Sequence, residues 1–343
     1  MAVPCVRVPV EDGEATRRRL ADSDLVDDAH RITGEDGDLY IPVTDPDAVP
    51  GDLAVVEYDA PERRTQTTPA DLLGFEPSYE RLGGVVIVDE DDPERARRIA
   101  DAVMESDIPA ETVVNRASKV KGEQRVRDWD VLAGDGTETV HREYGHEFAV
   151  DIADVYFSPR LATERHRVVE QVTAGEHAFD MFAGVGPYAI PMASAGAEVV
   201  ATDVNETAIE YLRENARRND VADRVTAIAG DVRDVVSGPP RAERSDGVQD
   251  VAGGYEDWAD RVVMNLPHTA SDFLDTAVDL AGDDCVVHLY DIQHEDDRFG
   301  PGERAVRAAA EPEYDVAVET EQVVRSYAPH EFNVCLDVRL TRR

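Results

Sequence analysis

The sequence predicts an α/β protein whose largest domain is a doubly wound sheet. An apolar run, Phe179–Phe182, leads into a Gly-x-Gly turn at Gly184 and Gly186. A second apolar run follows and ends in an acid, Asp203. A β-turn-α unit followed by a strand that ends in an acid is typical of α/β domains that bind a nucleotide at the carboxyl ends of their strands.

The glycine turn also indicates which nucleotide cofactor would fit. Gly184 and Gly186 let the backbone approach a ligand, and Asp203 can accept both hydroxyls of a ribose. The third glycine of the dinucleotide fingerprint is replaced by Ala189, and Pro187 stands at the expected helix start. A cofactor without phosphates needs no helix N-terminus set up for a pyrophosphate. We therefore expect S-adenosylmethionine (SAM) rather than NAD.

Residues 166–343 carry the alternating patterns of such a domain, which we expect to contain seven strands. We predict strands at Ala178–Phe182, Glu198–Asp203, Arg224–Ala229, Arg261–Asn265, Asp284–Asp291, Val316–Ser326 and Asn333–Leu340. We predict helices at Pro187–Ala195, Glu206–Arg218, Ala270–Leu280 and Glu303–Glu311, with Asn205 as the N-cap of the second. A terminal antiparallel hairpin after five parallel strands is the pattern of SAM-dependent methyltransferases, and residues 237–258 read as a surface insertion.

Two smaller units are expected before that domain. Residues 1–60 read as a small α/β unit, and residues 80–165 as a second α/β unit in which Val131–Gly134 and Glu147–Asp151 are predicted to be paired strands of one sheet. The second unit contains the one dense basic run of the chain: Arg116, Lys119, Lys121, Arg125 and Arg127. This run suits a polyanion such as RNA. The alternative is a solvated face that balances neighbouring acids.

The overall charge is strongly negative. The chain of 343 residues has 35 basic and 73 acidic residues, a formal net charge of -38. Such a charge normally argues against nucleic acid, because phosphate contacts supply much of that affinity. However, acids are spread along the whole chain and Lys119 and Lys121 are its only lysines, which indicates adaptation to molar salt. At about 1 M salt the Debye length is about 3 Å, so a local basic patch can still seat a polyanion. The alternative is simply an acidic soluble protein.

Metal sites and membrane segments are not expected. Cys5, Cys285 and Cys335 lack zinc-site spacing, and the histidines lack metal-ligand spacing. The N-terminus has no signal-peptide pattern, and no apolar run approaches the roughly 18 residues that cross a bilayer. We expect a soluble cytoplasmic monomer.

Polar residues at strand ends are the candidates for chemistry. Asp203 suits a ribose, and Asp231, which follows the third strand, suits the exocyclic amine of adenine. Asn265-Leu266-Pro267-His268 follows the fourth strand. Methyltransferases that alkylate a nitrogen often carry an Asn/Asp-Pro-Pro-aromatic motif at this point, and its carbonyl groups accept hydrogen bonds from the target nitrogen. The alternative for Asp203 and Asp231 is that they are ordinary loop acids in an acid-rich chain. The alternative for Asn265–His268 is an ordinary turn after a strand.

The segment Val155–Arg165 lies just before the large domain and can fold over the mouth of the cofactor site. Within it, Glu164 is a candidate general base, with Arg160 and Arg165 as expected charge partners. The alternative is a surface helix start with ordinary ion pairs.

Taken together, these motifs make the chain similar to the archaeal and eukaryotic tRNA (guanine-37-N1)-methyltransferases, which use SAM. The matching segments are Gly122–Arg127 with Val131–Gly134, Val155–Arg165, Asp180–Pro187 and Asn265–Pro267. The resemblance depends on the combination of Tyr-Phe-Ser-Pro-Arg-Leu-x-x-Glu-Arg with Asn-Leu-Pro, which is specific to this family. The glycine turn alone is not specific. The resemblance covers nearly the whole chain, and residues 1–60 resemble the small domain with which archaeal members check the outer corner of tRNA.

The resemblance implies a role for individual residues. Glu164 matches the base that removes the N1 proton of guanine, and Arg125 matches an arginine that stabilises charge on O6. Asn265 and Pro267 match residues that shape the target pocket and contact the cofactor. The cofactor contacts expected from the motifs and the resemblance are Arg165, Phe182, Gly184, Gly186, Asp203, Val204, Asp231, Val232 and Asn265.

Three functions remain open at this point. The first is methyl transfer from SAM to N1 of guanine 37 in tRNA. The second is a wybutosine-pathway reaction on a similar fold, either transfer of the aminocarboxypropyl group of SAM or methylation of C7 of a tricyclic intermediate. The third is a non-catalytic SAM- or RNA-binding module, for which Glu164 would be dispensable.

Overall fold

The computed structural model describes residues 2–63, 66–118, 127–237 and 254–343. The chain divides into two compact units, Met1–Thr67 and Thr68–Arg343. In the described residues, no helix is long and apolar enough to span a membrane.

The first unit is a four-stranded antiparallel sheet with one α-helix. The strands lie in the order β2-β3-β1-β4. Their bounds are β1 Val3–Pro9, β2 Thr33–Glu35, β3 Asp38–Pro42 and β4 Ala54–Tyr58, with helix α1 at Gly13–Ala21 and short 3-10 helices at Val10–Asp12 and Pro46–Ala48. The core of this unit is Val6, Val8, Leu20, Leu25, Ile41 and Val43.

The second unit begins with a small mixed sheet in the order β5-β6-β7-β8. The elements are α2 Pro69–Leu73, β5 Tyr79–Leu82, β6 Val85–Val88, α3 Pro93–Glu105, β7 Thr112–Arg116 and β8 Trp129–Ala133. Helix α3 joins the parallel pair β6 and β7 and packs its apolar face, including Ile99 and Val103, on this sheet. Asp92 caps the helix by accepting from the backbone N–H of Glu94 and Arg95.

The predicted pairing of Val131–Gly134 with Glu147–Asp151 is wrong. Strand β8 pairs with β7, whereas β9 (Glu138–Glu143) and β10 (His146–Asp151) form a separate hairpin closed at Tyr144 and Gly145. The other edge of β10 is occupied by side-chain amides. Asn215 donates to and accepts from the backbone of Ala149, and Asn219 does the same with Glu147. These amides satisfy the edge that a further strand would have used.

The large sheet has seven strands in the order β13-β12-β11-β14-β15-β17-β16. Its strands are β11 His177–Asp180, β12 Glu198–Asp203, β13 Val225–Ala229, β14 Ala259–Met264, β15 Ala281–His294, β16 Tyr314–Ala328 and β17 Glu331–Arg342. The first five are parallel to one another, and β17 runs antiparallel between β15 and β16. This confirms the predicted doubly wound domain with its terminal hairpin. Buried apolar side chains form one core cluster on each face.

The remaining helices connect these strands. They are α4 Ala162–Val169, α5 Ala189–Ser194, α6 Glu206–Arg218, α7 Val232–Ser237, α8 Leu274–Leu280 and α9 Gly300–Ala310, with 3-10 turns at Pro159–Leu161 and Ala270–Phe273. The predicted bounds of α6 are confirmed, as is its cap Asn205. Helix α5 starts two residues later than predicted, at Ala189, and ends one residue earlier, at Ser194. Of the predicted insertion, residues 238–253 lie outside the described residues.

Candidate active site

The turn after β11 brings the chain close to the end of β12. Gly184 has a φ of +53°, and its N–H donates to Asp203 Oδ2 at 2.8 Å. A Cβ on Gly184 would meet only the carbonyl oxygen of Tyr156, at 3.8 Å. A Cβ on Gly186 would instead lie 3.1 Å from Ile190 and Leu212. Gly184 therefore leaves backbone accessible at the turn, whereas Gly186 is also required for packing.

Asp203 is held by two backbone amides. Besides the bond from Gly184, its Oδ1 accepts from the N–H of Asn205 at 2.8 Å. Burial raises the pKa of Asp203, and the two amides offset part of that rise. Each carboxylate oxygen keeps a second lone pair for an external donor. The carboxylate is thus preorganised to accept hydroxyl groups, as the sequence predicts for a ribose.

A second acid at the same edge, Asp180, was not singled out by the sequence motifs. It ends β11, is 1% exposed, and neither of its carboxylate oxygens has a hydrogen-bond partner among the described residues. Burial raises its pKa to about 7, and the charge of Asp203 adds to the rise, against an opposing effect of the Phe182 backbone. Its place directly before the glycine turn is the signal that could have identified it. A buried acid that has no cationic partner among the described residues suits a ligand that carries a cationic group, as SAM does.

The Asp231 carboxylate is engaged within the protein. Its Oδ1 accepts from the backbone N–H and from Nε of Arg233, both at 2.9 Å, and this hydrogen-bonded arginine lowers the pKa of Asp231. The Arg233 guanidinium lies 4.7 Å from the ring centroid of Phe273, which in turn makes an edge contact with Phe182. Asp231 and Phe182 are both expected at the cofactor, and a chain of contacts through Arg233 and Phe273 connects them.

The two valines expected at the cofactor differ in exposure. Val204 is half exposed, and Val232 is buried at the start of α7.

The segment before α4 lies beside the glycine turn. The Tyr156 carbonyl approaches Gly184, and Asn205 Nδ2 donates to the carbonyl of Asp154 at 2.9 Å. Arg165 connects this segment to the β9–β10 hairpin through Glu143. It is almost fully buried, makes two hydrogen bonds to the carboxylate of Glu143 and donates to the Ser158 carbonyl at 3.1 Å.

The predicted charge partners of Glu164 are wrong. Arg165 pairs with Glu143, and Arg160 pairs with Glu80 at 3.0 Å. The partner of Glu164 is Arg167, because residues three apart lie on the same helix face. Adjacent residues such as Glu164 and Arg165 point in different directions around α4.

Glu164 is placed at the edge of the sheet by Tyr290. The Glu164 side chain is 6% exposed and accepts from Tyr290 Oη at 2.8 Å. Tyr290 comes one residue after Leu289, which pairs in register with Met264, so Tyr290 lies level with Asn265. The buried Oδ1 of Asn265 has no partner among the described residues. Tyr290 thus connects Glu164 to β15, the strand beside the end of β14 at which Asn265 lies.

The next residues of the motif form a turn. The carbonyl of Leu266 accepts from the N–H of Thr269 and Ala270, so the turn closes across Pro267. His268 has a φ of +91° and contacts Tyr327 through its ring.

Only part of the predicted basic run falls within the described residues. Lys119, Lys121 and Arg125 lie outside them. Arg116 is paired with Glu80 at 2.9 Å and with Asp89 at 2.7 Å. Arg127 lies over the ring of Trp129, and burial lowers its pKa, as does the neighbouring Arg116.

One cluster in the described chain has potential metal-ligand atoms close together, namely His288, Cys335 and Asp337. Their donors are already engaged. Asp337 accepts from Arg167, and His288 Nε2 lies 2.7 Å from Arg261 Nη1. A metal ion there would have to displace two arginines, so this donor set is a poor cation site.

Comparison with known proteins agrees with this geometry. Residues 139–319 match the model of the TRM5/TYW2 methyltransferase domain, residues 5–49 match the tRNA methyltransferase 5 N-terminal domain, and residues 65–137 match the TYW2 N-terminal domain. The tRNA (guanine(37)-N(1))-methyltransferase Trm5b of Pyrococcus abyssi is 36% identical over 98% of both chains. A Pyrococcus horikoshii tRNA(Phe) (4-demethylwyosine(37)-C(7)) aminocarboxypropyltransferase is 31% identical over 79% of this chain and 92% of its own.

Solved structures show the same relationship. A structure of aTrm5 in complex with tRNALeu superposes with a TM-score of 0.71, at 30% identity over 98% of this chain and 99% of the other. Methanocaldococcus jannaschii TYW2 in complex with AdoMet superposes with a TM-score of 0.59, at 26% identity over 78% of this chain and 100% of the other. The chain belongs to the TRM5/TYW2 methyltransferase family.

Proposed function

We propose that this protein transfers a methyl group from SAM to N1 of guanine 37, the base that follows the anticodon in tRNA. The observation that carries the proposal is the contact between Glu164 and Tyr290, because Tyr290 lies level with Asn265, whose Oδ1 has no partner among the described residues. A relative that this chain matches over 98% of both lengths has a name that states this activity.

The chemistry requires a base and a group that stabilises charge. The N1 lone pair of guanine belongs to the ring π system, so N1 becomes nucleophilic only as its proton leaves. Glu164 is proposed as the base. Asn265 Oδ1 would accept a hydrogen bond from an N–H of the target base, and Pro267 would shape the pocket beside it. Arg125 is proposed to stabilise the charge on O6.

The proposed cofactor site is formed at the turns after β11, β12 and β13. SAM supplies the methyl group when it is bound. Asp203 would accept the ribose hydroxyls, and Asp180 would face a cationic group. The further residues proposed to line the site are Arg165, Phe182, Gly184, Gly186, Val204, Asp231, Val232 and Asn265.

The tRNA would be bound by more than one part of the chain. We assign tRNA recognition to residues 1–60, RNA binding to residues 80–165 and catalysis to residues 166–343. A target base must leave its stack to reach a buried carboxylate, as base-modifying enzymes require. We place this activity in a cytoplasmic monomer.

A second candidate is aminocarboxypropyl transfer, because residues 65–137 match the TYW2 N-terminal domain and a named aminocarboxypropyltransferase is 31% identical. The match of residues 5–49 to the tRNA methyltransferase 5 N-terminal domain favours methyl transfer. The family resemblance also allows methylation of C7 of a wybutosine intermediate.

The deciding experiment is nucleoside mass analysis of tRNA after incubation with the protein and SAM. Unmodified tRNA with guanine at position 37 should yield 1-methylguanosine, and the same tRNA with adenine at that position should yield no product. Unmodified guanine 37 should be a better substrate than tRNA that carries a wybutosine intermediate. An aminocarboxypropyl adduct, or no product on any of the three tRNAs, would contradict the proposal.

A further inference from the structure

Glu164 shares its arginine with a second buried acid. Arg167 donates to Glu164 from Nε at 2.9 Å and from Nη2 at 2.7 Å. The same guanidinium donates to Asp337 from Nη1 at 2.5 Å and from Nη2 at 3.1 Å. Asp337 lies on β17 and is 1% exposed. One cation therefore serves two buried carboxylates that come from distant parts of the chain.

The other neighbours of Asp337 add no positive charge. His288 Nδ1 lies 2.7 Å from Asp337 Oδ1, so Nδ1 carries a proton and donates. His288 Nε2 faces the Arg261 guanidinium, which can only donate, so Nε2 must be an acceptor. His288 is thus neutral, in agreement with a pKa that burial lowers. Arg261 is neutralised by Glu176 at 2.9 Å.

The remaining groups that face Glu164 are neutral hydroxyls and a thiol. Tyr290 donates to Glu164 Oε1, and Tyr188 donates to Tyr290 at 2.8 Å. Burial raises the pKa of both tyrosines and of Cys335 well above their usual values, so these groups stay protonated. The charged groups bonded around Glu164 in the described chain are therefore Arg167 and, through it, Asp337.

The net charge of Glu164, Arg167 and Asp337 together depends on whether Glu164 carries a proton. With Glu164 ionised, two carboxylates face one guanidinium, and the group has an excess negative charge. With Glu164 protonated, Arg167 and Asp337 remain as a balanced ion pair. Buried charge is costly unless it is paired, so protonation of Glu164 costs less with Asp337 present than it would if Arg167 served Glu164 alone. Without Asp337, Arg167 would serve Glu164 alone and hold it ionised.

We propose that Asp337 is a positioning residue that sets the proton affinity of the base Glu164 by sharing Arg167 with it. The inference rests on the proposed function. In the proposed step, the proton on N1 of guanine would move to Glu164 Oε2, which accepts only from Arg167 Nε among the described residues. The N1 electron pair would form the new bond to the methyl carbon as the methyl–sulfur bond breaks, and the electron pair of that bond would stay on the sulfur of S-adenosylhomocysteine, the leaving group. Glu164 becomes neutral, and its proton later returns to solvent.

The test is the pH dependence of single-turnover methylation at saturating SAM and tRNA, between about pH 4.5 and pH 9. The rate of wild type should rise with pH as Glu164 loses its proton. We call this rising part of the pH–rate profile the acid limb. In Asp337→Asn the acid limb should move to lower pH by about one unit. The maximal rate above the limb should fall roughly threefold to tenfold, because Glu164 is then a weaker base.

Tyr290→Phe should move the limb in the opposite direction. The Tyr290 hydroxyl donates to the ionised carboxylate, so its loss favours the protonated form and moves the limb to higher pH. Tyr314→Phe is the matched control, because Tyr314 is also buried but donates to the Ala281 carbonyl, away from Glu164. Asp284→Asn is the control for Asp337→Asn, because Asp284 is an acid that pairs with Arg339 instead of Arg167.

If Asp337 had a purely structural role, Asp337→Asn would lower the rate and leave the acid limb at its wild-type pH. Limbs that do not move in Asp337→Asn and Tyr290→Phe would overturn the inference while leaving the base assignment intact. If Asp337→Asn does not fold, Asp337→Ser, which also removes the carboxylate that shares Arg167, decides instead, with the same expected shift to lower pH. A wild-type rate that is flat across the range would also overturn it. Glu164→Gln at nearly wild-type rate would overturn the base assignment itself, and this inference with it.

Discussion

The backbone N–H of Gly184 donates to Oδ2 of Asp203 at 2.8 Å, which ties the turn after β11 to the end of β12. The same carboxylate accepts from Asn205, the residue that caps α6. A single side chain thus fixes the glycine turn and the start of the next helix. The position of any ligand bound at this edge depends on Asp203.

Asp203→Ala should weaken SAM binding by roughly 1.5–3 kcal/mol, the range for a lost hydrogen bond to a charged group. Titration calorimetry with SAM measures this directly. Asp234→Ala is the control, because Asp234 is an exposed acid on neighbouring α7. Unchanged affinity in Asp203→Ala would remove Asp203 from the cofactor site.

Glu164→Gln should keep SAM and tRNA affinity but slow the chemical step by about 10²–10⁴-fold, the usual range for a positioned acid–base group. Gln keeps the shape of the side chain but cannot take the N1 proton. Single-turnover methylation at saturating SAM and tRNA is the measurement. A rate within a few-fold of wild type from about pH 6 to 9 would mean that another group is the base.

Arg125→Ala should also lower the single-turnover rate more than tRNA affinity, if Arg125 meets charge that develops in the transition state. The losses in Arg125→Ala and Glu164→Gln should be less than additive, because both act on the removal of one proton. Arg116→Ala is a control from the same basic run, since Arg116 is already paired with Glu80 and Asp89. Equal losses of affinity in the two arginine variants would assign Arg125 to phosphate binding.

Asp180→Asn should stabilise the protein without ligand at neutral and alkaline pH. The pKa of Asp180 is raised to about 7, above the value of 3.8 for an exposed group, so the folded state binds more protons than the unfolded state between these values. Stability therefore falls as pH rises from about 4 to 7 and stays low above that. Urea unfolding at pH 8 should show Asp180→Asn to be more stable by a few kcal/mol, on the order of 1.4 kcal/mol for each unit of the shift.

The gain in Asp180→Asn should shrink as pH falls from about 7 towards 3.8 and should be lost below 3.8, where the wild-type carboxyl is protonated in both states. Asp234→Asn, at an exposed position, should show no such trend. In calorimetry the same Asp180→Asn variant should bind SAM more weakly, because it lacks the charge proposed to face the cationic group. A variant that is less stable at pH 8 would mean that Asp180 has a stabilising partner.

Activity should persist or rise in molar KCl, and the fold should loosen at low salt. The chain has 73 acidic residues against 35 basic ones, and their mutual repulsion is screened only at high ionic strength. Thermal unfolding and methylation rates measured across a KCl series test both statements. A protein that is folded and fully active at about 50 mM salt would contradict adaptation to molar salt.

Local patterns predicted most of the large domain. The bounds of α6 and its cap Asn205 follow from an amphipathic repeat that starts after a capping residue, and both were confirmed. The order of parallel strands followed by a hairpin was also confirmed. Strand pairing was less predictable. Sequence could not show that Asn215 and Asn219 occupy the edge of β10, because these residues lie about seventy positions away on a helix.

The sequence by itself determined the α/β class, the glycine turn, the acid at the end of β12 and the presence of Glu164 in a recognisable segment. These features depend on backbone preference and apolar periodicity, which act between neighbouring residues. Only the tertiary structure decided that Arg160 and Arg165 pair with Glu80 and Glu143, and that Asp337 shares Arg167 with Glu164. A buried charge takes the partner that folding brings within hydrogen-bond distance, and that partner can come from any point in the chain.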